Sequence, residues 1–192
     1  MARKLSATII VLALLASVLV LSAVAFFTDT ASVPTNSFST GTVDLSTSPA
    51  SALFTVSNMA PGDSTTQSLV VSNGGTLQLR YAISSTATST DGKGLKDQLV
   101  LTIKTIDVTT PGTPCDDFDG TQLYTGDLDG TTGALVGSSA QGPDSGDRTL
   151  AASGSETLCF RVNLPPSTGN AYQDATTTAT FTFDAEQTVN NP

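Results

Sequence analysis

TLCFRVNLPP, residues 157–166, is the stretch of the sequence that decides the fold class. Its apolar residues occupy every second position from Leu158 to Leu164. That period of two places them on one face of a half-buried β-strand. Pro165 and Pro166 then end the strand, because proline cannot donate a hydrogen bond to a neighbouring strand. The stretch therefore predicts a sheet that has one face on a hydrophobic core.

The same alternation recurs from Asn36 onward, and no stretch has a convincing helical period. Turn-forming residues separate the strands, as in the segments 61–63 (PGD) and 73–75 (NGG). Seven or more short strands predict an all-β fold, an antiparallel β-sandwich of jelly-roll or immunoglobulin-like type. The core-facing positions of the other predicted strands are Leu69, Val71, Leu77, Leu79, Tyr81, Ile83, Leu99, Leu101, Ile103, Phe181, Phe183 and Ala185.

Three local irregularities accompany these strands. Ile106 and Val108 are out of phase with Ile103, which predicts a β-bulge near Lys104 and Thr105. Residues 94–99 follow a turn and are expected to form a single helical turn. Residues 109–155 have few apolar side chains, so we expect a loop-rich insertion with short edge strands rather than a second core.

The N-terminus has the features of an export signal. Arg3 and Lys4 precede an uncharged, largely apolar run over residues 5–27. Ala23 and Ala25 form a small-x-small site, which predicts a signal peptide over residues 1–25 and a cut before Phe26. The run is also long enough to cross a bilayer, so an uncleaved membrane anchor is the alternative.

Charge and composition exclude several classes of function. The chain of 192 residues has no histidine, which removes Ser-His-Asp triads, Cys-His pairs and His-Glu-x-x-His zinc sites. Cleavage after Ala25 would remove two of the 8 basic residues and leave 6 against 17 acidic ones, a net charge of −11. That charge argues against nucleic acid or an anionic lipid surface as a partner.

Cys115 and Cys159 are the two cysteines of the chain, and both follow the signal. Export to an oxidising compartment predicts one disulfide between them, which closes a loop of about 45 residues. Two buried free thiols are the alternative. A metal site would need more soft ligands than these two.

The densest cluster of acidic residues lies within the predicted insertion. Two Asp-x-Asp-Gly segments place Asp117, Asp119, Asp127 and Asp129 in tight turns, where carboxylate oxygens could bind calcium. Neither segment has the full spacing of an EF-hand loop, so solvated aspartates in turns are the alternative. No motif or residue pattern indicates catalysis, and no cofactor other than calcium is indicated.

Several short segments, read in order, resemble the TasA/camelysin family of secreted matrix proteins. Each segment alone is a common turn or strand, whereas their order and spacing are more specific. The resemblance covers roughly residues 22–107 and 158–192. The segments are 25–30 (AFFTDT), 38–45 (FSTGTVDL), 58–63 (NMAPGD), 71–77 (VSNGGTL), 94–99 (GLKDQL) and 181–187 (FTFDAEQ).

The resemblance implies secretion, processing by a SipW-type signal peptidase and assembly of the protein with itself into extracellular fibres of the biofilm matrix. In such fibres the N-terminal segment of one subunit adds as a strand to the sheet of the next. Residues 26–35 suit that role because Phe26, Phe27 and Val33 offer apolar side chains, and a flexible terminus is the alternative. The sandwich domain then spans residues 36–192.

The sequence therefore predicts a secreted structural subunit of an extracellular fibre or surface layer, attached to a membrane only through an uncleaved signal. Camelysin relatives have been labelled metallopeptidases, so a secreted or surface peptidase is the alternative. The absence of histidine and of clustered glutamate argues against that activity. A membrane-anchored ligand-binding module is the third possibility.

Overall fold

The computed structural model describes residues 37–106 and 115–191. The chain divides into two units, residues 1–39 and 40–192, and the fold described below is that of the second unit. The predicted signal with Ala23, Ala25 and Phe26, and the predicted assembly residues Phe27 and Val33, lie outside the described residues.

The described residues form nine strands and two short 3₁₀ turns. One of these turns, Leu95–Asp97, confirms the single helical turn predicted at residues 94–99, and the other is Asn170–Tyr172. The strands are β1 (Leu45–Ser48), β2 (Ser64–Asn73), β3 (Leu79–Thr88), β4 (Val100–Thr105), β5 (Gln122–Gly126), β6 (Ala134–Val136), β7 (Arg148–Leu150), β8 (Ser155–Asn163) and β9 (Thr178–Gln187).

Two antiparallel sheets pack face to face, which confirms the predicted sandwich. The first sheet has the order β1-β2-β8-β4-β5. Its central strand β8, which contains most of the stretch 157–166, pairs with β2 on one side and with β4 on the other. In the second sheet β3 is central, with β9 along one edge and β6 and β7 along the other.

The core lies between the two sheets and consists of the alternating apolar residues of their strands. The side chains of Leu158 and Phe160 on β8 and of Leu79 on β3 have no exposed surface. The phenolic oxygen of Tyr81 on β3 donates to Glu156 Oε1 on β8 at 2.7 Å, and Glu156 also pairs with Arg148 on β7. This group of polar side chains ties the two sheets together.

Asn73 fixes the turn between β2 and β3. Its side chain is buried, and its amide nitrogen donates to the carbonyl oxygens of Leu77 at 2.8 Å and Ala151 at 3.0 Å. Its Oδ1 accepts from the Gly75 N–H at 2.9 Å. A buried amide whose donors and acceptor are all used in this way selects one turn geometry, because leaving any of them unpaired would cost free energy.

The predicted bulge occurs at the expected place but on the other strand. The pairing of β4 with β5 shifts between Ile103 and Lys104, where Tyr124 and Gln122 are the successive partners, so the extra residue is Leu123 of β5. β4 stays in register with β8 through Thr105. The bulge predicted near Lys104 and Thr105 thus belongs to the partner strand, and Ile106 is out of phase with Ile103 because it packs against the cluster of Cys115, Phe118 and Cys159.

The region predicted as an insertion contributes to the main sandwich. Of residues 109–155, those from Cys115 onward are described, and they include β5, β6 and β7. β5 is an edge strand of the first sheet, whereas β6 and β7 pair with β3 in the second. Four buried residues of this region belong to the same core as those of β8: Leu128 after β5, Leu135 and Val136 on β6, and Leu150 on β7.

Truncation of the central aromatic residue tests this arrangement. Phe160→Ala should lower the free energy of unfolding by about 3 to 5 kcal/mol, because it leaves a cavity between the sheets. Urea denaturation at neutral pH measures the change, with Thr180→Ala on the exposed face of β9 as the control. A loss below about 1 kcal/mol for Phe160→Ala would contradict the assigned core.

Candidate functional site: the outer edge of β9

β9 is a ten-residue strand at the edge of the second sheet. Within the described residues it pairs only with β3, in unbroken register from Thr178 opposite Thr88 to Gln187 opposite Leu79. Its other edge therefore carries backbone groups that the described part of the sandwich does not use. An edge of this length is a template on which another strand can pair.

The backbone polar groups of β9 point alternately toward β3 and away from it. The N–H of Thr188 donates to the carbonyl oxygen of Gln78, with nitrogen and oxygen 3.2 Å apart. Bonded pairs recur at every second residue of an antiparallel ladder, so the even-numbered residues of β9 bond to β3. Apart from Gln187 at the end of the strand, the residues whose N–H and C=O groups point to the outer edge are then Ala179, Phe181, Phe183 and Ala185.

The side chains of those same four residues face the core but are only half-buried. The ring of Phe181 lies edge-on to that of Phe160, with 5.4 Å between their centroids. The ring of Phe183 is tilted against that of Tyr81 at 6.2 Å. Phe160 and Tyr81 are almost completely buried, whereas the two rings of β9 retain exposed surface. The core is thus incompletely covered along this edge.

Hydrogen bonds hold both ends of β9 in place. Before the strand, Asp91 accepts from the N–H of Thr176 at 2.5 Å and from the N–H of Lys93 at 3.0 Å. Near its end, Glu186 Oε1 accepts from Arg80 Nε at 2.5 Å and from the Gly142 N–H at 3.0 Å. The edge is therefore presented in a fixed conformation, which lowers the entropic cost of binding a partner there.

These contacts shift the pKa values of both carboxyl groups downward. The pKa of Glu186 is lowered chiefly by its hydrogen bond from Arg80, with smaller contributions from Asn191 and Gly142. The pKa of Asp91 is lowered by the backbone N–H groups of Lys93 and Thr176. Both residues therefore stabilise the fold in their ionised forms.

The disulfide lies on the other side of the sandwich. Cys115 and Cys159 are bonded, as predicted, and Cys159 is on β8 with its side chain on the outer face of the first sheet. Phe118 is buried beside them, and its ring lies 3.8 Å from the guanidinium carbon of Arg161 and 4.9 Å from Lys104 Nζ. The disulfide and these cation–π contacts hold the segment 115–120 against the outer face of the first sheet.

The structure does not bring the four predicted calcium ligands to one place. Asp117 and Asp119 precede β5, whereas Asp127 and Asp129 follow it, and a five-residue strand spans about 17 Å. Asp129 Oδ2 accepts from Lys96 Nζ at 3.0 Å. Lys96 thus partly neutralises the charge of Asp129, and calcium binding stays a prediction.

The described residues contain no helix that is long and apolar enough to span a membrane. The predicted signal or anchor over residues 1–25 lies outside them.

Comparison with known proteins identifies the family of this chain. A family model described as camelysin metallo-endopeptidase matches residues 1–191. The chain belongs to the camelysin family. This confirms the resemblance drawn from the short segments, since TasA-like proteins are included in the family. Its members are secreted, which agrees with the disulfide. No curated protein matched the sequence.

The donor set does not fit the catalytic metal that the camelysin family description implies. The sequence has no histidine, and its two cysteines are joined to each other. In residues 37–106 and 115–191, no three Asp, Glu or Cys side chains are grouped so as to hold an ion. Catalytic zinc sites in proteins use histidine, cysteine and carboxylate ligands that converge on one point.

Sequence analysis located β9 as a strand but missed its role as an open edge. The alternation of Phe181, Phe183 and Ala185 shows which face is inward, whereas strand neighbours depend on the whole topology. It also missed the pairing of Arg80 with Glu186, which are 106 residues apart. Only the opposite charges at matching ends of two predicted strands could have suggested that pair.

Removal of the disulfide should destabilise this camelysin-family protein. The cross-link spans a sequence separation of 44, and the loop-entropy model assigns it about 3 to 4 kcal/mol. Cys115→Ala/Cys159→Ala should lower the free energy of unfolding by that amount in urea. Reductant should destabilise the wild type similarly and leave the double variant unchanged. An equal response of both proteins to reductant would show that the bridge does not form.

The pH dependence of stability tests the contact between Arg80 and Glu186. Because the folded-state pKa of Glu186 is below its ordinary value of 4.5, the stabilisation is present above that pH. It is lost as the pH falls through the lower folded-state value, where the carboxylate becomes protonated. Urea denaturation between pH 6 and 2 should therefore show a steeper loss for the wild type than for Glu186→Gln. Parallel curves would contradict the shift.

Proposed function

We propose that the protein is a structural subunit of an extracellular fibre. In this proposal residues 26–35 of one subunit add as a strand to the outer edge of β9 in the next. The observation that carries the proposal is the ten-residue edge, whose outward backbone groups belong to Ala179, Phe181, Phe183 and Ala185. Family membership supports it, because TasA-like proteins are in the same family.

An added strand would stabilise this edge in two ways. It would pair with the outward N–H and C=O groups of β9, as in other cases of β-strand addition. Its inward side chains would also cover the half-buried rings of Phe181 and Phe183. Full burial of a large apolar side chain contributes about 1.5 to 3 kcal/mol, so a junction with several such residues can be stable.

The proposed donor matches the edge in length and composition. Residues 26–35 and the strand Thr178–Gln187 are both ten residues long. The donor includes the apolar residues Phe26, Phe27 and Val33, which favour burial over exposure to water. Cleavage before Phe26 would release this segment from the membrane, which couples assembly to processing of the signal.

The geometry of such a contact leads to a filament. The donor segment and the acceptor edge are different parts of the surface, so each subunit uses one to bind the subunit ahead and the other to bind the subunit behind. A head-to-tail contact of this kind gives an open helical filament unless its rotation happens to close a ring. Self-assembly alone then accounts for a secreted matrix component without catalysis.

Deletion of the donor tests the mechanism directly. A variant that lacks residues 26–35, exported with an unrelated signal, should fold as a monomer and form no filaments under electron microscopy. The mature wild type should form filaments in the same buffer. If the truncated protein polymerises as well as the wild type, strand addition by this segment is wrong.

A second variant tests the acceptor edge. Ala179→Pro/Ala185→Pro removes two outward N–H groups, which do not bond to β3, so the monomer should remain folded while filaments are lost. Ala179→Gly/Ala185→Gly is the matched control, since it keeps both N–H groups and should still assemble. Chelator-sensitive cleavage of casein by the purified wild type would instead support the peptidase alternative.

A further inference from the structure

A polar groove runs along the outer face of the second sheet, away from the core. It consists of two adjoining cavities with volumes of about 530 and 320 Å³. Ala82, Ser138 and Ser139 line both cavities, so the two lie side by side. Each volume lies near or within the range of known ligand pockets, about 300 to 1,000 Å³.

Two sides of the groove come from distant parts of the chain. Its floor is the outer face of β3, with Ala82, Ser84 and Thr86 at alternate positions. One wall is the loop after β6, residues 137–141. The larger cavity is also bordered by the end of β9 and the C-terminal residues Asn190 and Asn191.

Hydrogen bonds fix the loop that forms the wall. Asp147 Oδ1 accepts from the Ser138 N–H at 3.0 Å, and its Oδ2 accepts from the Asp144 N–H at 2.9 Å. The Gly142 N–H donates to Glu186, and Asn191 Nδ2 donates to the same carboxylate at 2.8 Å. The groove is therefore held open in one shape, and little conformational entropy is lost when a ligand binds.

The lining includes several groups that can both donate and accept hydrogen bonds. The smaller cavity has the hydroxyl groups of Ser84, Thr86 and Thr132, whereas the larger one has the amides of Gln141 and Asn190. Hydroxyl and amide groups complement ligands that themselves carry many hydroxyl groups. An apolar ligand would leave this lining without hydrogen-bond partners.

Charge in the groove selects against anions. Asp147, Asp184 and Glu186 line the larger cavity, and Arg80 is its one basic residue among the described lining. Arg80 is 7% exposed and is engaged by Glu186 and by the carbonyl oxygen of Asn191. The net charge of these four side chains is −2, which repels acidic polysaccharides and nucleic acids.

We infer that this groove binds a segment of an uncharged polysaccharide. Two adjoining cavities offer room for more than one sugar unit, and the hydroxyl and amide groups of the lining fit the hydroxyl groups of sugars. The larger cavity also borders the end of β9, including Ala185, whereas Gln141 and Asn190 lie outside β9, so variants of these two residues test the groove separately from the proposed strand addition. A fibre subunit with such a groove would attach protein filaments to a neutral glycan.

Calorimetric titration of the mature full chain tests the inference. The probes are three uncharged hexasaccharides, cellohexaose, maltohexaose and N-acetylchitohexaose, with hexagalacturonate as the acidic comparison. At least one uncharged probe should bind, and the acidic one should not. Gln141→Ala/Asn190→Ala should weaken that binding by about tenfold, because two polar groups that contact the ligand are removed.

Gln122→Ala is the matched control, since Gln122 is an exposed glutamine on β5, in the other sheet. It should bind the glycan as the wild type does, and melting curves should show that all variants are folded. Absence of binding by all three uncharged probes at millimolar concentration would overturn the inference. Equal binding by the wild type and Gln141→Ala/Asn190→Ala would overturn it as well. The assembly-defective deletion of residues 26–35 should still bind, which separates this test from that of the fibre.

Discussion

The packing of β8 against the second sheet is the contact on which the rest of the structure depends. Phe160 of β8 meets Phe181 of β9 between the sheets, while Glu156 at the start of β8 receives the hydroxyl group of Tyr81 from β3. Burial raises the pKa of Tyr81 far above its ordinary value, and Glu156 adds to that effect, so the phenol stays a neutral donor. The apolar contact and the hydrogen bond together set how the two central strands face each other, and this in turn positions β9.

The fold class could be predicted because its signal is local. An alternation such as that from Leu158 to Leu164 reports which side chains face the core, whatever strands lie beside them. The cysteine pairing was predictable for a different reason, since two cysteines allow a single intramolecular bond. Neither signal identifies the neighbour of a strand, and for this reason the extra residue Leu123 and the open edge of β9 were apparent only in the structure.

The candidate sites also show that neighbours in the sequence and neighbours in space are different residues. Asp117, Asp119, Asp127 and Asp129 are close in sequence, yet the extended backbone of β5 separates the two pairs. Residues of the polar groove are distant in sequence, as with Ser84, Gln141 and Asn190. They lie near one another because β6 and β9 flank β3 on its two edges. Proximity in the sequence is thus a poor guide to shared function in a protein built from strands, because an extended strand places residues that are close in sequence far apart in space.

The alternation along β9 also has a consequence for the evolution of this protein. Ala179, Phe181, Phe183 and Ala185 contribute side chains to the core and backbone groups to the outer edge, whereas Thr178, Thr180 and Thr182 direct their side chains to solvent. The first four residues are constrained both by packing in the core and by pairing at the edge. The three threonines are subject to neither constraint. Natural relatives should therefore vary at Thr178, Thr180 and Thr182 and stay small or aromatic at the four positions between and after them, giving an alternating pattern of substitution along a single strand.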